Sequence, residues 1–121
     1  MSDPKELGKQ GEEIASSFLA KKGYKIVARN WKMGANEIDI IAEYEDFMVF
    51  VEVKTRSENY LEHPCTAVAI SKQKTIIKTA DRYISKHNVD KESRFDIITI
   101  IKNDGKFEIA HIENAFYPTL R

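Results

Sequence analysis

Apolar residues recur at helical spacing in two stretches of the chain. Leu7, Gly11, Ile14, Ala15, Phe18 and Leu19 share one face of a predicted helix. It opens at Asp3-Pro4, an N-cap aspartate with proline at N1, and stops at Lys21-Lys22-Gly23. Val68, Ile76, Ile77, Ala80, Tyr83 and Ile84 do the same in a second helix around Thr66 to His87, with Ser71 as the candidate cap of its main part. Tyr24–Asn30, Arg94–Ile101 and Lys106–Ile112 read as strands, and Asn103-Asp104-Gly105 marks a hairpin turn between the last two. Trp31–Asn36 reads as a loop, and Ser57–Cys65 as a polar connection containing Pro64. With two further strands described next, the order is αβββαββ. It predicts one α/β domain over residues 1–121, with a mixed central sheet.

Those two strands break the apolar pattern. Asn36-Glu37-Ile38-Asp39-Ile40-Ile41 and Phe50-Val51-Glu52-Val53-Lys54 place ionisable residues in runs that otherwise read as buried sheet. Burying a carboxylate or an ammonium is costly unless it is paired or binds a metal. Side chains alternate along a strand, so Glu37 and Asp39 share a face, as do Glu52 and Lys54. A two-residue turn at Glu45-Asp46 pairs Tyr44 with Phe47. It then sets Asp39 across from Glu52 and Glu37 across from Lys54. A three-residue loop without a bulge would throw Asp39 and Glu52 onto opposite faces. Like charges directly opposed destabilise a sheet, and a divalent cation between them would reverse that repulsion. Carboxylates for a hard cation, with a lysine beside them, are the set a metal-dependent nuclease needs. The competing reading is solvated charge, with Glu52 and Lys54 forming a surface ion pair worth little.

Composition narrows the class. The chain has 121 residues, 42% hydrophobic and 31% charged, which fits an ordinary globular domain. No stretch approaches the length of a transmembrane helix, and Met-Ser-Asp-Pro-Lys has no hydrophobic signal region. Cys65, the single cysteine, allows no intrachain disulfide and reads as an inert thiol. Together these favour the cytoplasm, with no membrane partner. His63, His87 and His111 lack zinc-ligand spacing and read as surface or packing residues. Trp31 and Tyr60 read as packing residues before they read as base-stacking platforms. Arg94 and Asp96 share a strand face, as an ion pair supporting the sheet would. Glu12 sits where the first helix turns from apolar to polar, with Gly8 and Ala15 beside it permitting close approach to the sheet.

Net charge is zero, yet its distribution is uneven: residues 1–53 carry a net −3 and residues 54–86 a net +4. The basic excess starts at Lys54, includes Arg56 and continues through Lys72, Lys74 and Lys78. That suits a phosphate backbone lying across the site; a solvated helix face is the other reading.

Asp39 followed by Glu52-Val53-Lys54 resembles the signature of the PD-(D/E)xK nuclease superfamily, with Ile38 where the signature has proline. The closer resemblance is to a bacterial YraN-type family of uncharacterised, Holliday-junction-resolvase-like endonucleases. It runs along nearly the whole chain. Gly8, Gly11, Glu12 and Ala15 match the first helix, and Gly23-Tyr24 with Arg29-Asn30 the first strand. Glu37-Ile38-Asp39 and Phe50-Val51-Glu52-Val53-Lys54-Thr55-Arg56 match the core, and Lys72, Ala80 and Arg94-Phe95-Asp96 the later part. Asn36 departs from it, standing where that family has glycine.

The resemblance implies a restriction-endonuclease-like αβββαβ core whose mixed sheet is flanked by helices. It implies metal-dependent hydrolysis of phosphodiester bonds in DNA, with branched or junction DNA as a substrate. Asp39 and Glu52 would hold Mg²⁺ or Mn²⁺, with the backbone carbonyl of Val53 as a further ligand. Lys54 would orient the attacking water or stabilise charge on the phosphate. Glu12 would complete the metal shell directly or through water. Glu37 is a weaker candidate, as a partner of Lys54. Arg56, Lys72, Lys74 and Lys78 would contact nucleic acid. Cutting a junction symmetrically needs two sites, which calls for a homodimer. A fold does not establish activity, so the alternative is a non-catalytic nucleic-acid-binding or assembly module on the same scaffold.

Overall fold

The computed structural model describes residues 3–57 and 68–118. Tyr60, His63, Pro64, Cys65 and the expected helix start at Thr66 lie outside the described residues. The chain forms α1 (Pro4–Lys21), β1 (Lys25–Met33), β2 (Asn36–Tyr44), β3 (Phe47–Ser57), α2 (Ile70–His87), β4 (Glu92–Asn103) and β5 (Lys106–Phe116). The five strands form one sheet in sequence order. β3 and β4 run parallel, joined through α2, and every other neighbouring pair is antiparallel. This is the expected mixed sheet flanked by two helices, with the restriction-endonuclease-like αβββαβ core extended by a fifth strand.

Each turn has a local cause. Asp3 caps α1, its Oδ1 accepting the Lys5 N–H at 3.2 Å, and Gly23 leaves the helix with φ of 96°. The β2–β3 hairpin turns at Glu45-Asp46 with Tyr44 opposite Phe47, as expected, and Glu45 takes a left-handed φ of 53°. Asp104 and Gly105 take φ of 53° and 73° at the β4–β5 turn, as a tight hairpin demands. The expected loop at Trp31–Asn36 is shorter in the structure. Gly34, at φ 62°, lets a two-residue turn follow Met33, so Trp31 through Met33 extend β1. The Trp31 ring meets Tyr83 edge-on at 5.2 Å, the packing role expected of it. Ser71 does not cap α2: Ala69 holds the N-cap position without a side-chain bond, and Ser71 lies inside the first turn.

The sheet is buried on both faces. Val49, Val51, Ile98 and Ile100 pack with Ala15 and Leu19 of α1. Met48, Phe50, Phe95 and Ile97 pack with Ile76, Ile77, Ala80 and Tyr83 of α2. Two-sided burial explains why β3 and β4 read as nearly continuous apolar runs. The rings of Phe50 and Phe95 stack at 5.5 Å, and burial of each contributes about 1.5–3 kcal/mol.

One fully buried charge, Asp96, ties β4 to β5. Arg94 donates from Nε and Nη2 to Asp96 at 2.9 and 2.8 Å. His111 lies 2.8 Å from the same carboxylate, and the Asn114 N–H donates to it at 3.0 Å. Arg94 also hydrogen-bonds the Tyr24 hydroxyl and lies over the Tyr24 and Phe47 rings at 5.6 and 5.4 Å. Burial alone would raise the Asp96 pKa, but the bonds from His111, Arg94 and Asn114 outweigh it and hold the carboxyl below its usual range. The expected Arg94–Asp96 ion pair is present. His111 is its third member, beyond the surface or packing role expected of it.

Close approach of α1 to the sheet depends on Gly11. A Cβ there would fall 1.8 Å from Thr55 Oγ1, so only glycine allows the helix to cross β3 at this height. Gly11→Ala should therefore destabilise the fold by about 1–3 kcal/mol through overpacking, although alanine is the better helix former. Urea denaturation of the two proteins measures the difference; a more stable alanine variant would contradict the close crossing.

Candidate functional site

The β2–β3 ladder runs from Tyr44 opposite Phe47 to Ile40 opposite Val51, and the paired stretch ends there. The next residues on each side are Asp39 and Glu52. Asp39 takes over where the ladder stops: its Oδ2 accepts the Val53 N–H at 2.8 Å. The N–H and C=O of one extended residue point to the same neighbouring strand, so the Val53 carbonyl also faces the gap beside Asp39. The expected Asp39–Glu52 register pair lies one step beyond the ladder, and the two carboxylates interact through their charges. The sheet alternation is broken here, because Ile38 packs toward α2 while Ile40, two residues on, packs toward α1.

β1 is distorted at the same level. Asn30 lies between the Arg29–Ile40 and Trp31–Ile38 pairs and adopts a left-handed φ of 51°. Its Nδ2 donates to Glu12 Oε1 at 2.9 Å. Asn30 therefore fixes the α1 carboxylate beside the sheet, a role the sequence reading did not assign. The available signal was an asparagine inside a strand, where its propensity is poor and its tolerance of left-handed backbone is useful.

Electrostatically the site is short of positive charge. Glu52 is buried, and its nearest cation is Lys54, with Nζ 3.7 Å from Oε2. Asp39 is pushed up to about 8, first by burial and then by the charge of Glu52, against the lowering effect of the Val53 N–H; Glu12 adds to the rise. Asp39 thus feels both Glu52 and Glu12, and Glu52 pairs with Lys54. Glu37 is not with them: its partner is Lys32 on β1, at 4.0 Å, and not Lys54. The ladder ends before Glu37 can oppose Lys54.

An open cleft of about 790 Å³ adjoins this group, between the first half of α1 and the far ends of β3 and β4. Gly8, Glu12, Val53, Lys54, Arg56 and Lys102 are among its lining. Lys72, Lys74 and Lys78 are exposed on the outer face of α2 and do not line it. Among the described residues, no three His, Cys, Asp or Glu side chains converge as a metal cage. Two carboxylates with a free carbonyl nearby still suit a hard cation. Mg²⁺ takes one or two protein carboxylates and completes its shell with water and substrate phosphate.

Residues 11–100 match the family described as Uncharacterised protein family UPF0102. The chain is similar to a UPF0102 protein of Phocaeicola vulgatus, 45% identical over 99% of both chains. It is similar to one of Bacteroides thetaiotaomicron, 46% identical over 99% of each. A third, from Chlorobium phaeobacteroides, is 45% identical over 93% of this chain and 95% of its own.

The raised Asp39 pKa has a signed consequence. Between the unfolded value near 4 and about 8, the folded protein holds a proton that the unfolded chain has lost. Metal-free stability should therefore fall as pH rises through that window. Asp39→Asn should remove this part of the slope. Urea midpoints in EDTA, measured from about pH 5 to about pH 8, check it; parallel profiles for the two proteins would show that Asp39 titrates normally.

Proposed function

Given that the chain belongs to the uncharacterised protein family UPF0102, we propose from the site that it is a metal-dependent endonuclease of the PD-(D/E)xK type. Its substrate is DNA, with branched and junction DNA the forms to try first. The observation that carries this reading is the close Asp39–Glu52 pair, with Lys54 at 3.7 Å from Glu52 and itself, like Glu12 and Val53, in the wall of an open cleft. The buried centre of the sheet keeps two carboxylates together where strand pairing ends. That arrangement is costly without a cation.

Asp39 and Glu52 would hold Mg²⁺ or Mn²⁺, and the Val53 carbonyl faces the same gap. When bound, the cation supplies Lewis acidity and a water of lowered pKa. Lys54 stands beside Glu52 and directs its ammonium at charge developing on a phosphate oxygen. Glu12, held by Asn30 at 2.9 Å, adds negative potential and would complete the metal shell directly or through water. In the reaction, water adds to phosphorus, the bond to the leaving sugar oxygen breaks, and that oxygen takes up a proton. Arg56 lines the cleft and meets the phosphate backbone there. Lys72, Lys74 and Lys78 on α2 extend the cationic surface to longer substrates.

A cleavage panel of branched, nicked, single-stranded and duplex DNA with Mg²⁺ or Mn²⁺ tests the proposal. Asp39→Asn should abolish cutting. Lys54→Ala should lower turnover by about 10²–10³-fold, while Mn²⁺ still raises the melting temperature by binding the native state. If Lys54 only stabilises the fold, its replacement lowers the melting temperature and leaves activity per folded molecule unchanged. DNA binding without cleavage by the wild-type protein would favour the non-catalytic binding module.

A further inference from the structure

The two interior glycines of α1 have different explanations. A helix-interior glycine costs roughly 0.5–1 kcal/mol relative to alanine. At Gly11 the sheet accounts for it, since Thr55 leaves no room for a Cβ. At Gly8 nothing among the described residues accounts for it. A Cβ at Gly8 would meet no heavy atom of the described residues within 4 Å, and the residue does not have a positive φ. Among the described residues, neither packing nor backbone conformation calls for glycine there.

What Gly8 faces is the cleft. It lines that space together with Glu12, one helical turn on, and with Val53 and Lys54 of β3. Arg56 and Lys102 line the same cleft from adjacent strands, where Ser57 pairs with Lys102. The Arg56 guanidinium is steadied by the Thr55 carbonyl at 2.9 Å, and the Lys102 ammonium lies 5.9 Å over the Phe107 ring. The cleft thus has the side-chain-free Gly8 among its α1 lining, two cationic side chains on the strand side, and Glu12, Val53 and Lys54 of the candidate site in its wall. A volume of about 790 Å³ is on the scale of a small-ligand pocket. That is room for the backbone of one nucleic-acid strand.

We infer that Gly8 is the floor of a track in which a single nucleic-acid strand lies against α1, its phosphates facing Arg56 and Lys102, as it leaves the Asp39–Glu52 centre. This rests on the nuclease reading of that centre and adds how its substrate is seated. The track is read by backbone and shape. It requires a substrate whose strands are separated near the cut, which branched and junction DNA provide.

The test is equilibrium binding of a fluorescein-labelled single-stranded oligodeoxynucleotide to the full chain in EDTA, with melting temperatures recorded on the same preparations. Binding should weaken with side-chain size at this position, by at least tenfold at Gly8→Phe. Gly8→Ala should melt no lower than wild type. Gln10→Phe, on the exposed far side of α1, should bind as wild type. Lys102→Ala should make the salt dependence shallower by about one unit in the log–log slope, an independent readout should Gly8→Phe fold poorly. Wild-type affinity in Gly8→Phe, with wild-type binding intact, would overturn the track and leave the nuclease reading standing. A duplex competing as well as the single strand would overturn the single-strand seating. No binding by the wild type together with no cleavage in the panel would remove both.

Discussion

A sheet covered on both faces has no inexpensive place for a carboxylate, and this protein meets that constraint in two opposite ways. Asp96 is fully buried and fully answered, by a two-pronged arginine, a histidine and a backbone N–H. Its pKa falls accordingly. Asp39 receives one backbone N–H and a second acid, and its pKa rises instead. Removing a partner from a buried pair is strongly destabilising, so the first arrangement reads as structural. The second sets two acids side by side, with Lys54 3.7 Å from one of them.

The remainder of the architecture serves the contrast. Parallel β3 and β4 form the rigid centre, and the polar cluster sits where Arg94 pairs with Val49 and Asp96 with Val51. Further along β3 come Glu52 and Lys54, past the end of its ladder with β2. The helix that brings Glu12 to this point crosses so closely that Thr55 and Gly11 touch. One strand residue, Val53, serves both ends of the design: its N–H fixes Asp39 and its carbonyl is left facing the gap.

Much of this was legible because it is local. The Glu45-Asp46 turn, the Tyr44–Phe47 pairing and the resulting proximity of Asp39 to Glu52 follow from alternation and loop length over fourteen residues. What escaped was set by distant partners. Glu37 was expected near Lys54 because an unbroken ladder would put it there; the ladder stops at Ile40 and Lys32 takes it instead. Asn30 meets Glu12 across 18 positions, and His111 meets Asp96 across 15. No periodicity in one strand announces a hydrogen bond to another element. The two α1 glycines look alike in sequence, and only the space around each distinguishes them. Ser71 failed as a cap for the opposite reason: local chemistry offered it, and the helix began earlier.

The left-handed asparagine in β1 has a second effect, on the outside of the sheet. β1 and β5 are the two free edges. Each has a register shift in its ladder and an asparagine at positive φ, Asn30 on one and Asn114 on the other. A regular edge is a template for adding a strand from another molecule, and irregularity together with charge blunts it. Lys25, Arg29 and Lys32 line the first edge strand. The distortion that steers a side chain to Glu12 thus also adds to the irregularity of an edge on which strand addition is disfavoured. A β-branched residue at position 30 would straighten the strand, release the carboxylate and expose the chain to self-association in one step.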